Sequence, residues 1–409
     1  MKDILDKENF QVVKGGITYP KGIKAAGIKC GIRFNKKDLA LIYSEKLAGA
    51  RGTFTTNKFK AAPLVVTEKN LSLSGGRLQA ALINSGIANA CTGEKGLKDA
   101  WDTVSYVSEG LKINKEYVAV ASTGKIGEFL PMKKIGNGLK EAISKLSASG
   151  GTEAAEAILT TDNKKKEIAV NFKLNGQEVR IGGMAKGSGM IHPNMATMLG
   201  FISSDISIKG ELLQEVLQEV VEKSFNMISV DGDTSTNDMV LVMANGLAGN
   251  EIVDKKDTDY YKFLEALQYA AKYLAKCIAK DGEGATKMIE VEVQNAVSFG
   301  EAKKVAKAVI NSPLVKAAVF GKDPNWGRIL AAVGYSGAEV MPDKVDLYLK
   351  EKIVENGQPL EFSRQEIHKY LESSDKIKII IDLKMGEVNA TAWGCDLTYD
   401  YVKMNTKYN

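Results

Sequence analysis

A threonine hydroxyl is a weak nucleophile at its ordinary pKa, and one way to activate it is a free α-amine on the same residue. Residues 186–201 read Lys-Gly-Ser-Gly-Met-Ile-His-Pro-Asn-Met-Ala-Thr-Met-Leu-Gly-Phe and contain such a candidate, Thr197. Its amine is free only if the Ala196–Thr197 peptide bond is cut. The local pattern also describes a glycine turn leading into a strand, with Thr197 as an ordinary β-branched residue. Taken alone, it favours that plainer description.

Further polar stretches could carry chemistry. Ser122-Thr123-Gly124-Lys125-Ile126-Gly127 follows an aliphatic run. Backbone amides and glycines there are the material of an oxyanion hole, whose donors must sit ~3 Å from the developing charge. A strand-to-helix turn is the simpler alternative, and the spacing is not that of a GxxxxGK[ST] phosphate loop. In Asp281-Gly282-Glu283-Gly284-Ala285-Thr286-Lys287 a glutamate lies between glycines. It could neutralise a substrate ammonium, or be a solvated loop carboxylate. The small polar residues from Asn84 to Gly93 suggest a site wall. Asp231 to Asp238 lacks the distal glutamate of an EF-hand and fits a hydrogen-bonded turn better. In the turn from Gly321 to Arg328, Trp326 and Arg328 read as structural.

Composition bounds what these residues can do. The 409 residues imply two domains or one large compound domain. With 44% hydrophobic and 26% charged residues, the chain has an ordinary globular balance. The net charge of +5 is dispersed, and Lys164-Lys165-Lys166 reads as a solvated turn rather than a nucleic-acid patch. Four cysteines without a CxxC pair, and two histidines without HExxH, argue against disulfides and zinc. The N-terminus is too charged for a signal peptide, and no apolar run approaches ~18 residues. A cytoplasmic, soluble protein without membrane or nucleic-acid partners is expected.

Several elements must position the polar loops. Apolar periodicity predicts helices over 207–225, 257–280 (capped by Asp257, Thr258 or Asp259) and 302–310, the last ending before Pro313. Strands are expected at 80–83, 117–121, 289–293 and 377–382. Residues 164–183 form a candidate exposed hairpin with Asn175-Gly176 as its turn. Helices and strands mix without a regular βαβ period, and no GxGxxG follows a strand. This predicts α/β or α+β layers rather than a dinucleotide fold.

Taken in order, these stretches resemble one family. They are the Lys186–Phe201 segment, Ser122-Thr123-Gly124, Thr160-Thr161-Asp162, Asp281–Lys287, Lys322–Arg328 and the ending Gly394-Cys395-Asp396-Leu397-Thr398-Tyr399-Asp400-Tyr401-Val402. Together they are similar to the ornithine acetyltransferase family, also called bifunctional glutamate N-acetyltransferase or ArgJ. The resemblance runs from Gly16-Ile17-Thr18-Tyr19-Pro20 to the C-terminus. It implies a layered αββα sandwich of the DmpA/ArgJ-like kind with a smaller C-terminal α/β region. It also implies self-cleavage between Ala196 and Thr197, giving an α chain of residues 1–196 and a β chain of residues 197–409 that form one compound catalytic unit. An assembly of two α and two β chains is expected.

The implied reaction is ping-pong and needs no cofactor or metal. Thr197 takes the acetyl group from N-acetylornithine and passes it to glutamate, with Thr123 and Gly124 holding the oxyanion. Acetyl-CoA serves part of the family as a second donor. Substrate contacts map onto Thr160, Lys186, Thr197, Glu283 and Asn405. An amidohydrolase or aminopeptidase with the same N-terminal nucleophile is the competing expectation. There are two departures. Family members usually end in a Ser or Thr that contacts substrate, which has no counterpart before the end at Asn409. Ile87 stands where Asn is commoner.

Overall fold

The runs Val118–Ala121 and Met239–Ala244 are apolar at every position because both of their faces are covered. Val118 and Val120 belong to one core, with Leu39, Leu41 and Leu82; Ala119 and Ala121 belong to another, with Ala40, Ile42 and Ile83. The structure, a computed structural model, describes residues 9–192 and 198–406. Ala196 and Thr197 lie outside the described residues. The chain divides into two compact units: residues 1–187, 193–226 and 234–274, and residues 188–192, 227–233 and 275–409.

Among the described residues the first unit holds nine strands: β1 (Phe10–Val13), β2 (Ile23–Ile28), β3 (Leu39–Phe54), β4 (Arg77–Ile87), β5 (Val118–Lys125), β6 (Lys166–Leu174), β7 (Gln177–Lys186), β8 (Leu199–Ser204) and β9 (Met239–Ala244). They are hydrogen-bonded in the order β1-β6-β7-β8-β9-β3-β4-β5, with β2 on β3. Sixteen-residue β3 turns this ribbon into two layers. Its first part, Leu39–Tyr43, pairs with β2 and β4; after a register shift its second part, Gly49–Phe54, pairs with β9. One core between the layers joins Ala40, Ile42, Ala81 and Ala119 to Met184, Leu199, Phe201 and Leu241.

Helices cover the outer faces. α1 (Ala62–Leu73), α2 (Gly93–Leu111) and α3 (Met132–Ser144) bury Val66, Val104 and Leu139 against β2–β5. The short α4 (Gly151–Ala157) adds Ala154, Ala155 and Ala157 to the inter-layer core. α5 (Gly210–Glu222) and α6 (Thr258–Lys280) lie side by side, Gln268 donating to the Val220 carbonyl. Phe263 of α6 stacks on Phe172 of β6. This is the layered αββα sandwich the resemblance implies.

The second unit is the smaller α/β region. β10 (Met288–Ala296), β11 (Asp346–Leu349), β12 (Glu351–Glu355), β13 (Gln358–Pro359), β14 (Lys376–Asp382) and β15 (Val388–Cys395) form a sheet in the order β13-β12-β11-β14-β10-β15. α7 (Phe299–Asn311) packs on β10 and β15. It is followed by α8 (Pro313–Phe320), α9 (Trp326–Gly334), α10 (Arg364–Ser373) and α11 (Tyr399–Asn405).

Three expectations need correction. The helix expected over 207–225 is shorter, because Ser207 and Lys209 exchange backbone hydrogen bonds with Val253 before α5 begins. The 164–183 hairpin has its Asn175-Gly176 turn, both residues at positive φ, but its strands are largely buried rather than exposed. Lys166 is no part of a solvated turn: its side chain is 1% exposed and salt-bridged to Asp162 at 2.6 Å. No described helix is long and apolar enough to cross a membrane.

Candidate active site

The ends of three strands meet where β7 stops. Lys186, the last residue of β7, pairs with Leu199, the first of β8; Leu199 in turn pairs with Met239, the first of β9. From the facing layer comes the end of β5, with Thr123 and Gly124. The Lys186 ammonium spans the gap, donating to Thr160 Oγ1 at 2.7 Å and Thr123 Oγ1 at 3.4 Å. So Thr123, Thr160 and Lys186, named from sequence, stand together in the first unit. Thr197, two residues before Leu199 in the chain, lies outside the described residues.

Glycine geometry shapes the Thr123–Gly124 end. Gly124 has φ +133° opposite Gly86 at +104°, within a register irregularity between β4 and β5. A Cβ on Gly124 would stand 2.2 Å from the Gly86 carbonyl carbon. Only glycine fits, and the irregular backbone is the kind that frees N–H groups from a ladder. Ser122, just before, donates to Asn84 Oδ1 at 2.6 Å, and Asn84 Nδ2 donates to the Ile87 carbonyl. Ile87 leaves that last hydrogen bond intact because it uses only its backbone.

Asp162 organises the cation. Its side chain is fully buried, 2.6 Å from Lys166 Nζ and 3.8 Å from Lys186 Nζ. It also accepts from the Gly187 and Thr160 N–H groups. Burial would raise its pKa, but the Lys186 and Lys166 charges and these donors outweigh burial and hold it well below the usual carboxylate range. Asp162 is therefore a fixed anion. Arg33 adds a clamp from β2's side, donating to the Leu159 and Thr160 carbonyls.

Asp238, just before β9, is the opposite case. It is 3% exposed, and its Oδ2 has no hydrogen-bond partner among the described residues. Burial pushes its pKa well up, and hydrogen bonds from Ser235 and Thr55 with the Lys186 charge do not compensate. Asp238 lacks the close ammonium that Asp162 has in Lys166. Below the unfolded value of ~3.9 both states are protonated. Above it the unfolded chain ionises first, because the native carboxyl holds its proton to higher pH, so native stability declines with rising pH until the native group ionises too. Asp238→Asn removes that dependence. We expect the variant's melting temperature to gain on the parent between pH 4.5 and 7.5, a tenfold difference in proton affinity between the two states being worth ~1.4 kcal/mol. A constant difference across that range would show that Asp238 is ionised in the fold.

The second unit holds the other named residues. Glu283 is 5% exposed and accepts from Asn405 Nδ2 at 2.9 Å. Its N–H donates to the Ser188 carbonyl at 2.9 Å. Gly189 permits this closeness, since a Cβ there would stand 2.5 Å from the Glu283 carboxyl carbon. Asp231 accepts from the Met190 and Ile191 N–H groups at 2.6 and 2.8 Å, so the start of the 231–238 turn fastens the segment preceding residue 193. His192 bonds Ser229 Oγ through Nδ1 at 3.0 Å. Burial, with Lys307 and Lys303 nearby, pushes its pKa down to about 4, so it is neutral at pH 7. Among the described residues no group of His, Cys, Asp and Glu is arranged to hold a metal.

Sequence reasoning missed Lys166, Asn237 and Asp238 as site-shaping residues, and met Asp162 only as the end of a motif. The one signal was a polar Thr-Asn-Asp step before the wholly apolar 239–244 run.

The ArgJ family model matches residues 24–409. An arginine biosynthesis bifunctional protein ArgJ from Caldanaerobacter subterraneus subsp. tengcongensis is 51% identical over 404 residues, covering 98% of this chain and 100% of that one. The protein of the same name from Staphylococcus aureus is 48% identical over 402 residues, covering 98% and 97%. A crystal structure of arginine biosynthesis bifunctional protein argJ from Bacillus halodurans shares 49% identity with a TM-score of 0.50; it covers 51% of this chain and 99% of that chain. With a match over nearly its whole length and the αββα layers in place, the chain belongs to the ArgJ family.

Proposed function

We propose that this chain moves the acetyl group of N2-acetyl-L-ornithine to L-glutamate through an acetyl ester of Thr197, after cutting itself between Ala196 and Thr197. The observation that carries the reading is the buried Lys186 ammonium, held between Thr160 and Thr123 at the start of β8. A fixed buried cation beside an irregular glycine backbone suits a carboxylate substrate whose carbonyl becomes an oxyanion.

In the first half-reaction Thr197 Oγ bonds to the acetyl carbon while the amide C–N bond breaks. The hydroxyl proton passes through the residue's own amine to the departing ornithine nitrogen. An α-amine with a pKa of ~7.7–8.0 has a useful neutral fraction at pH 7. In the second, the glutamate amine attacks the ester and the threonine hydroxyl is restored. Thr123 and Gly124 stabilise the oxyanion. Thr160 and Lys186 bind the substrate carboxylate, and Glu283 with Asn405 a substrate ammonium. The cycle draws on no cofactor or metal.

Cleavage would divide the chain into residues 1–196 and 197–409, each about half of it. The Bacillus crystal chain, matched over 99% of its length by 51% of this one, is also about half as long, which supports the cut. We take the mature enzyme to be a cytoplasmic assembly of two α and two β chains. The relatives are called bifunctional, which supports a second activity; acetyl-CoA as sole donor to glutamate is the assay for it. The deciding measurement incubates purified protein with N-acetylornithine, with and without glutamate. Acetylglutamate should form at the rate ornithine is released. Release of free acetate at an equal rate with glutamate present would make the protein an amidohydrolase instead.

A further inference from the structure

The turn before β9 bonds to the entry of β8, to the chain just past β3 and to the end of β5. Met239 N–H donates to the Met198 carbonyl at 2.9 Å, at the entry to β8. Thr55, just past β3, donates through Oγ1 to the Ser235 carbonyl at 2.8 Å and through its N–H to the Asp238 carbonyl at 3.0 Å. Asn237 sits inside this turn, 5% exposed. Its Nδ2 donates to two carbonyls at once, Ala88 at 2.6 Å and Ser122 at 2.9 Å. Its Oδ1 accepts from Thr236 Oγ1 at 2.6 Å, which fixes the orientation of the amide. One side chain thus joins the turn that meets the entry to β8 to the residue immediately before Thr123.

We infer that Asn237 is a positioning residue for acetyl transfer, setting the Thr123–Gly124 donors at a fixed distance from the entry to β8. Oxyanion donors act only when held to a fraction of an ångström, and a misplacement of ~1 Å can cost ~10²-fold in rate. The end of β5 has an irregular backbone beyond Gly86 and so cannot rely on its own ladder to keep that position. The inference rests on the proposed oxyanion role of Thr123 and Gly124.

The fold supplies its own control. Asn70 of α1, 1% exposed, makes the same kind of clamp at the other end of β5, its Nδ2 donating to the Lys115 and Val118 carbonyls at 3.0 and 2.8 Å. Asn237→Ala and Asn70→Ala each remove one buried amide that bonds two carbonyls, one of them on β5. If Asn237 positions the donors, Asn237→Ala should lower kcat about 10- to 100-fold with KM within about threefold. Asn70→Ala should lower the melting temperature comparably while kcat changes less than about threefold. Asn237→Asp keeps the shape and loses both donors; its kcat should be low at pH 8 and partly recover at pH 5.5 relative to the parent, as the carboxyl regains a donor. That variant decides the matter if Asn237→Ala does not fold. Equal kcat losses in the two alanine variants, or unchanged kcat in Asn237→Asp, would overturn the inference. Gly124→Ala, whose Cβ would displace the Gly86–Gly124 backbone, distinguishes a failure of positioning from a failure of the oxyanion role: if it leaves kcat untouched, the oxyanion reading itself has failed.

Discussion

Thr197→Ala leaves the chain as one 44.2 kDa polypeptide on a denaturing gel and abolishes acetyl transfer; this is the largest effect expected of any single substitution. Both losses have one cause. In the proposed cycle the hydroxyl that attacks the Ala196 carbonyl during maturation is the one that later attacks the acetyl carbon, and alanine has neither oxygen nor a way to free its amine. Removal of a nucleophile from a cooperating set lowers kcat by ~10⁴- to 10⁶-fold. Thr197→Ser keeps an oxygen and an amine, so it should cleave, more slowly, and retain measurable transfer. Mass spectrometry of the parent would find a new N-terminus at Thr197. An uncleaved parent with full activity would sink the proposal. So would an active Thr197→Ala, which would move the chemistry to another residue.

How far the sequence reveals this site depends on the range of each interaction. Local features were readable: the Asn175-Gly176 turn, and Asp257 capping α6 by accepting from the Asp259 and Tyr260 N–H groups. These need only neighbours a few residues away. The strands expected at 80–83 and 117–121 were readable because coverage of both faces makes a continuous apolar run, though Tyr117 closes the turn before β5 instead. The site was legible as a set of motifs, but which motif meets which was not. Lys166 illustrates the gap. In a run of three lysines its neighbours predict solvent, yet the alternation along β6 turns it inward against Asp162. Asn237 bonds Ala88 and Ser122 across more than 100 residues of chain, a pairing that periodicity cannot encode. Asp238 carries the same lesson in charge: its raised pKa follows from burial that its hydrogen bonds and the Lys186 charge do not offset, which is a fact of packing.

The two lysines around Asp162 should separate stability from catalysis, and this is the second large effect. Lys166→Met removes the 2.6 Å partner of a fully buried carboxylate and leaves Lys186, 3.8 Å away, to neutralise it. Breaking one side of a buried ion pair costs ~3–5 kcal/mol, so Lys166→Met should unfold at a much lower denaturant concentration than the parent. Lys186→Met leaves Asp162 its nearer lysine and its Gly187 donor, so it should fold with a smaller stability loss. What it loses is the charge facing Thr160 and Thr123. Truncating one partner of a desolvated charge pair costs about 2–5 kcal/mol of binding, roughly 30- to 3,000-fold in kcat/KM for N-acetylornithine. The pH response fixes the sign. The Asp162 pKa is depressed in the fold, so its contribution is complete above the unfolded carboxylate pKa of ~3.9 and is lost as the pH falls from there toward the native value. Asp162→Asn should therefore be far less stable than the parent at pH 7 and approach it in the acid range, measured by urea unfolding from pH 7 to pH 3. A Lys186→Met variant with unchanged kcat/KM would take the substrate carboxylate away from Lys186. The buried triad would then serve the fold alone.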